Sequence, residues 1–378
     1  MNIEIKGIGF TNKGAELMLH AILQKVRSEY PDATFVVKPN YGESYDKRAE
    51  LGIYHKLDYQ HYSLNSGKIL GKILPKGMRR SYGLIREDEI DLLLDASGLS
   101  YSDTMGIQPT KRAAKQFKQM KNNGAKIVLL PQAFGPFKNP KFKKYLQTLY
   151  DHTDFIYARD EQSKAFFSDN ISSNGKIQIA PDFTNLLEPI VRKEYEERKD
   201  EICVIPNYRM IDKTDQEVGN RYVSLMAKII QELINRDEKI FLLIHEDGRD
   251  VHLAEEIKKV SGHDLDILNE ADPLKIKGII SQTKGVISSR FHGIVNAMSQ
   301  GVPALATGWH HKYKMLFRDY DFLDGLISVD ISDDELKYKI DNICDKKKRD
   351  QASKKIATFS NEFKETTEKM WVEIFKFI

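Results

Sequence analysis

Residues 284–312, KGVISSRFHGIVNAMSQGVPALATGWHHK, carry the pattern that decides the fold. They begin with a short apolar run, Gly285–Ser288. Apolar side chains then recur at the spacing of one helical face, at Phe291, Ile294, Val295 and Met298. Gly301 ends the helical pattern, and Pro303 precedes a second apolar run. The stretch therefore predicts a strand, a turn, a helix and another strand.

Arg290 and His292 lie on the predicted turn, and Lys312 follows the second strand. In an open parallel sheet both places are carboxyl ends of strands, where such folds bind ligands. A helix N-terminus favours an anion, and a guanidinium matches carboxylate or phosphate. The position of Arg290 and His292 between a strand end and a helix start favours an anion site over a surface ion pair and a bystander histidine. His310, His311 and Lys312 either bind phosphate or form a basic loop. The histidine spacing predicts no metal site.

Composition limits the class of protein. Of the 378 residues, 41% are hydrophobic and 30% are charged, as in a globular protein. A net charge of +3 gives no support for nucleic-acid binding. Two distant cysteines and an N-terminus unlike a signal peptide predict a cytoplasmic protein.

The rest of the chain alternates strands with helices, starting with a β–loop–α–β unit whose loop glycines do not match GxGxxG. Small or polar residues follow several predicted strands, at Ser97, Gly98, Gln132, Arg159 and His245. The fold class predicted is α/β, with two doubly wound, Rossmann-like domains facing across a cleft. The domains are predicted at residues 1–188 and 189–350, and a helix at 351–378 is expected to pack back on the first.

Two segments allow more than one interpretation. His245 either binds a sugar hydroxyl, or lies beside acids that only cap the next helix. From Lys68 to Arg86, apolar residues alternate with cations, which fits either a solvated helix or peripheral contact with an anionic membrane.

Six motifs in order resemble the polysaccharide pyruvyltransferase family. They are GFTNKGAE at 9–16, DASG at 95–98, PQAFGP at 131–136, ARD at 158–160 with Ser163, PD at 181–182 and SRFHG at 289–293. The match extends to about Lys312 and so covers most of the chain. The resemblance implies a fold similar to GT-B glycosyltransferases, with the acceptor on the first domain and the donor on the second.

The resemblance also implies transfer of a pyruvyl group from phosphoenolpyruvate to a sugar of a capsule-type or other exopolysaccharide, or of its lipid-linked precursor. A pyruvate ketal forms and phosphate leaves, with no cofactor or metal. Under this hypothesis Arg290, Arg159 and Lys312 anchor the donor and His292 supplies a proton. Glu16 is the candidate base. The further substrate-binding candidates are Asn12, Gln132, Ser97, Gly98 and His245.

The chain departs from the family pattern at two positions. Ala15 stands where members often carry aspartate, and Ser97 replaces the first glycine of a pair. The first departure leaves the identity of the base open, with a structural role for Glu16 as the alternative. The rival functions are a GT-B glycosyltransferase that uses a nucleotide sugar and a non-catalytic glycan-binding relative.

Overall fold

The structure is a computed structural model that describes residues 1–38, 45–58, 60–61, 64–173, 175–246, 248–308 and 311–378. The side chains of residues 60, 61, 64–66, 68 and 69 are also outside the description. Trp309, His310, Asp247 and the side chain of Lys68 therefore lie outside the described residues.

Contacts group the described chain into two compact units. The first contains Met1–Thr11, Met18–Phe183 and Thr366–Ile378, and the second contains Asn12–Leu17 and Thr184–Glu365. The last helix and the first helix each contribute residues to both units. None of the described helices is long and apolar enough to cross a membrane.

The first unit contains a parallel sheet of eight strands. Its strands and a separate small hairpin, β4–β5, are β1 (Asn2–Lys6), β2 (Thr34–Val37), β3 (Tyr54–Lys56), β4 (Gln60–His61), β5 (Leu64–Asn65), β6 (Leu84–Ile85), β7 (Leu92–Asp95), β8 (Lys126–Gln132), β9 (Phe155–Ala158) and β10 (Ile177–Ile179). The order in the sheet is β10-β9-β8-β7-β1-β2-β3-β6. The last strand, β10, ends at Ile179, two residues before Pro181, which cannot donate to a ladder.

Helices connect these strands. They are α1 (Lys13–Glu29), α2 (Tyr45–Glu50), α3 (Ser66–Ile73), α4 (Lys76–Ser81), α5 (Ile107–Asn122), α6 (Phe142–Asp151) and α7 (Glu161–Ser168). Asp160 caps α7 by accepting a hydrogen bond from the Ser163 amide at 2.7 Å.

The second unit contains a parallel sheet of five strands in the order β13-β12-β11-β14-β15. They are β11 (Glu201–Ile205), β12 (Lys239–Ile244), β13 (Asp266–Asn269), β14 (Gly285–Ser288) and β15 (Ala304–Ala306). The helices are α8 (Arg209–Asp212), α9 (Gln216–Ile234), α10 (Arg249–Ser261), α11 (Pro273–Gln282), α12 (Phe291–Met298), α13 (His311–Asp319), α14 (Asp333–Cys344) and α15 (Lys346–Phe377).

Alternate residues of β11 face opposite sides of this second sheet. Cys203 and Ile205 belong to one buried core, and Ile202 and Val204 belong to the other. Both faces of the sheet are therefore covered, as a doubly wound arrangement requires. The prediction of two parallel α/β sheets is confirmed.

The apolar run Leu326–Val329 predicts a last strand, and this prediction was wrong, because Leu326 makes only an isolated bridge to Ala306. The neighbouring strand β15 has only three residues, so the residues after Leu326 have no strand beside them to pair with. His311 and Lys312, for which a phosphate-binding cluster and a basic loop were both open, begin α13 and are not in a loop.

A buried ion cluster lies across the first sheet. Lys56 on β3 donates to both carboxylate oxygens of Glu4 on β1, at 2.6 and 2.8 Å, and lies 3.5 Å from Glu87. Burial lowers the Lys56 pKa, but the two carboxylates outweigh it and raise the pKa above its usual value. Removing the cation leaves buried carboxylates uncompensated, which is strongly destabilising.

Replacing Lys56 with Met is therefore expected to lower the free energy of unfolding by about 3–5 kcal/mol in urea titrations. Lys121→Met is the matched control, because the Lys121–Asp154 pair is partly exposed and such pairs contribute about 0–1 kcal/mol. Equal losses in the two variants would contradict this account of the cluster.

Candidate active site

The strand–turn–helix predicted around Arg290 is present as β14, Ser289-Arg290 and α12. Arg290 is the N-cap residue of α12. The hydroxyl of Ser288 fixes the turn, because it accepts from the Arg290 amide at 2.9 Å and donates to the Arg290 carbonyl at 3.0 Å. A Cβ atom on Gly293 would lie 2.6 Å from that hydroxyl, so the turn requires a glycine there.

The guanidinium of Arg290 is 8% exposed and is held by two carboxylates. Its Nε donates to Asp250 at 3.0 Å, its Nη2 also donates to Asp250, and its Nη1 donates to Glu246. Burial lowers the Arg290 pKa, but the carboxylates outweigh it and hold the pKa above its usual value. Arg290 was predicted as an anion clamp; in the structure it binds acids of the protein itself.

Ser289 is the centre of a buried hydrogen-bond network that the sequence did not predict. Its hydroxyl contacts Tyr222 at 2.5 Å and also Thr307. Its carbonyl accepts from Asn207 at 2.9 Å and from Tyr313 at 2.7 Å. Burial raises the pKa of Tyr222 to about 12, so this phenol stays protonated.

His292 is half-buried at the start of α12 and packs edge-on against Phe291, with ring centroids 5.6 Å apart. The same phenyl ring lies 4.7 Å from Nζ of Lys312. A Cβ atom on Gly14 would lie only 2.3 Å from Nδ1 of His292. The structure therefore brings His292 together with the first turn of α1, and both His292 and Lys312 lie against the ring of Phe291.

That first turn groups with the second unit. Asn12 caps α1, because its Oδ1 accepts from the Gly14 amide at 2.9 Å. Nζ of Lys13 donates to Glu16 at 3.1 Å, and both side chains are buried. Asn12, predicted to bind substrate, thus has a structural role through its oxygen. Glu16, the candidate base, is paired with a lysine that the sequence analysis did not select.

His245 directly follows β12 and is 4% exposed. Burial, followed by the charges of Arg290, His292 and Lys13, holds its pKa well below the usual value, so the imidazole is neutral. A neutral imidazole can accept a hydrogen bond from a hydroxyl through one nitrogen or donate one to a hydroxyl through the other. Within the described residues, no group of three or more His, Cys, Asp or Glu side chains could hold a metal ion.

In the first unit, Asp95 organises the carboxyl end of β7. It accepts from Lys6 Nζ at 2.8 Å, from the Ser97 amide at 3.0 Å and from the hydroxyls of Ser97 and Tyr101. Gly7, at φ +83°, packs so closely that a Cβ atom would lie 2.3 Å from Cα of Ser97. Ser97 and Gly98 are therefore held in a fixed loop, and the hydroxyl of Ser97 is bonded to Asp95.

The neighbouring strands β8 and β9 supply Gln132 and Arg159. Gln132 is fully buried, and its Oε1 has no hydrogen-bond partner in the described part of the chain. Nη2 of Arg159 lies 3.3 Å from Asp182 and 3.5 Å from the Pro131 carbonyl. A cavity of about 260 Å³ also opens in this unit, lined in part by Lys6, Ser97 and Gln116.

The predicted residues thus form two groups, one in each unit. Ser97, Gly98, Gln132 and Arg159 belong to the first unit. The second unit holds the remaining six, Asn12, Glu16, His245, Arg290, His292 and Lys312.

Several solved structures share the fold of this chain. Anabaena HepE, solved with UDP-glucose, has a TM-score of 0.61 and 12% identity, with 100% of both chains covered. A putative UDP-N-acetylglucosamine 2-epimerase from Listeria monocytogenes has a TM-score of 0.60 and 12% identity, covering 99% of this chain and 95% of its own. The lipopolysaccharide outer core galactosyltransferase WaaB has a TM-score of 0.52 and 12% identity over 100% of both chains. The fold is that of the GT-B class.

The family is given by the sequence. The family model for polysaccharide pyruvyl transferase matches residues 12–311. The chain therefore belongs to the polysaccharide pyruvyltransferase family, and the predicted resemblance is confirmed. The comparison with curated proteins finds no match.

The contact between Gly14 and His292 makes a testable prediction about the site. Ala usually stabilises a helix by up to about 1 kcal/mol relative to Gly, but at Gly14 the methyl group would displace either the imidazole or the helix turn. Gly14→Ala is expected to lower the free energy of unfolding by about 1–3 kcal/mol.

Gly77→Ala in α4 is the control, because a Cβ atom there meets nothing within 4 Å. Urea unfolding should show it to be neutral or stabilising. A Gly14→Ala protein as stable as Gly77→Ala would mean that the helix and the imidazole are not in close contact.

Proposed function

We propose that this protein transfers a pyruvyl group from phosphoenolpyruvate to two hydroxyls of a sugar in a surface polysaccharide or its lipid-linked precursor. A proton adds to the methylene carbon, one sugar oxygen bonds to C2, and the second sugar oxygen then displaces phosphate. The product is a cyclic pyruvate ketal, and phosphate is released. Membership of the family supports the transferase class.

The observation that carries the proposal is the environment of His292. Its imidazole lies at a helix start, and Lys312 is close to the same phenyl ring. An imidazole that can give a proton, placed at a helix N-terminus two residues after Arg290 in the chain, suits phosphoenolpyruvate, which has both a carboxylate and a phosphate. His292 protonates the methylene carbon in this mechanism.

Arg290 does not bind the donor through a free guanidinium, because its three nitrogens already donate to carboxylates of the protein. Asp250 binds two of its nitrogens from a buried position, whereas Glu246 binds the remaining one and is partly exposed. Asp250 thus positions the guanidinium, and a donor anion replaces Glu246 on Nη1. Lys312 provides a further cationic contact to the donor, whereas Arg159 belongs to the first unit and is paired there with Asp182.

The sugar acceptor is bound by the first unit in this proposal. The buried Oε1 of Gln132 has no hydrogen-bond partner among the described residues, and leaving a buried acceptor unpaired is costly. We therefore assign a sugar hydroxyl as its hydrogen-bond donor. The cavity at Lys6, Ser97 and Gln116 offers further polar contacts. Glu16 is the candidate base, and Nζ of Lys13 holds its carboxylate in place at 3.1 Å.

A nucleotide-sugar glycosyltransferase is the second candidate. The structures of similar fold include complexes with UDP-glucose and UDP. The second unit also contains a cavity of about 440 Å³, lined by Met210, Thr214, Thr307, Gly308 and neighbouring residues. A glycan-binding relative without catalysis is the third alternative, and turnover separates it from both enzymes.

His292→Ala is expected to reduce acceptor-dependent phosphate release from phosphoenolpyruvate by about 10²–10⁴-fold, the usual contribution of a general acid. Binding of phosphoenolpyruvate, measured by calorimetry, should persist because the cationic contacts remain. His252→Ala is the matched control, since His252 is exposed on α10.

Full activity of the His292→Ala enzyme would remove this residue from the mechanism. Turnover of a UDP-sugar, with no phosphate released from phosphoenolpyruvate by any acceptor tested, would favour the glycosyltransferase instead.

A further inference from the structure

An exposed apolar and basic surface of the first unit lies on α3, α4 and the residues after them. Four large apolar side chains between residues 70 and 82 are exposed, with exposed fractions of 47% for Leu70, 71% for Ile73, 50% for Met78 and 72% for Tyr82. Lys72 and Lys76 are exposed between them. These six residues are called the Leu70–Tyr82 surface.

The local sequence gives this surface one sign of charge. From Tyr59 to Arg86 the chain has six Lys or Arg residues and no Asp or Glu. Arg79 and Arg86 are neutralised by the flanking acids Glu89 and Asp88. Lys72 and Lys76 form no ion pair with any described residue, so their charge faces outward.

The inward side of the same segment is firmly packed. A Cβ atom on Gly71 would lie 3.2 Å from the Leu57 side chain and 3.1 Å from the Arg86 side chain, so α3 packs closely against both. Arg79 is 3% exposed and binds Glu89 while its Nε donates to the Leu74 carbonyl. These buried contacts hold α3 and α4 in place, and the apolar side chains of the Leu70–Tyr82 surface therefore stay exposed to solvent.

We propose that the Leu70–Tyr82 surface docks the protein on an anionic lipid bilayer. Apolar side chains that enter the headgroup region, with lysines beside them, are the features that hold an amphipathic segment at such a surface. Tyr82 suits the interface because its ring is apolar and its hydroxyl is polar. A second copy of the chain is a poor occupant, because a two-fold contact would bring the same unpaired lysines face to face. This inference does not depend on the proposed reaction.

The test uses the full chain and vesicles of stated composition. We expect it to co-sediment with vesicles that contain phosphatidylglycerol and not with phosphatidylcholine vesicles. Binding should weaken as salt rises, because screening reduces the attraction. The variant Lys72→Glu/Ile73→Ser is expected to lose roughly tenfold or more of its apparent partition coefficient, since each lysine near the surface contributes about 1 kcal/mol.

The matched control is Lys259→Glu/Val260→Ser. Lys259 and Val260 are also an adjacent exposed pair at the end of a helix, and the charge change is the same. The control should bind like the parent, and circular dichroism should show both variants folded. Equal loss in the two variants, binding that ignores anionic lipid, or no binding by the parent would overturn the proposal. So would a dimer in analytical ultracentrifugation that is lost with Lys72→Glu/Ile73→Ser, because the surface would then be a contact between copies.

Discussion

The buried contact of Arg290 with Asp250 and Glu246 is the constraint on which the second unit's site depends. It joins the turn after β14 to α10 and to the residues after β12, so three elements are fixed around one guanidinium. A buried arginine without these acids would be costly, and the acids without it equally so. Because the turn is fixed, His292 has a defined place at the start of α12, against Gly14 and beside Lys312 across the Phe291 ring.

The same contact changes how an anionic donor is held. A guanidinium with one buried and one partly exposed carboxylate is not a free clamp, and a donor anion must compete with Glu246. The hydrogen bonds that Tyr222 makes to the Ser289 hydroxyl and Tyr313 makes to the Ser289 carbonyl stabilise the backbone of the same turn. The proposed chemistry therefore relies on a preorganised proton donor, with charge supplied by several cations rather than by Arg290 alone.

Much of this arrangement could be predicted from the sequence, because alternating strands and helices place residues such as Arg290 and Gln132 at the carboxyl ends of strands. The partners of these residues could not. Asp250 and Tyr222 are far from Arg290 in the chain, and nothing in their local pattern distinguishes them from a helix cap and a core aromatic. The contact of Gly14 with His292 joins the two ends of the family motif series, and no short-range periodicity reports it. For Asn12 the reverse holds. An asparagine just before a helix is a local signal for an N-cap, but we predicted that Asn12 binds substrate.

The most direct measurement is the fate of C2 of phosphoenolpyruvate during turnover with a polysaccharide-type acceptor. With the carbon labelled as ¹³C, NMR of the purified glycan should show the label as a ketal carbon bonded to two sugar oxygens, with an equal amount of phosphate released. A glycan that stays unlabelled while the protein consumes a nucleotide sugar would contradict the assignment of pyruvyl transfer.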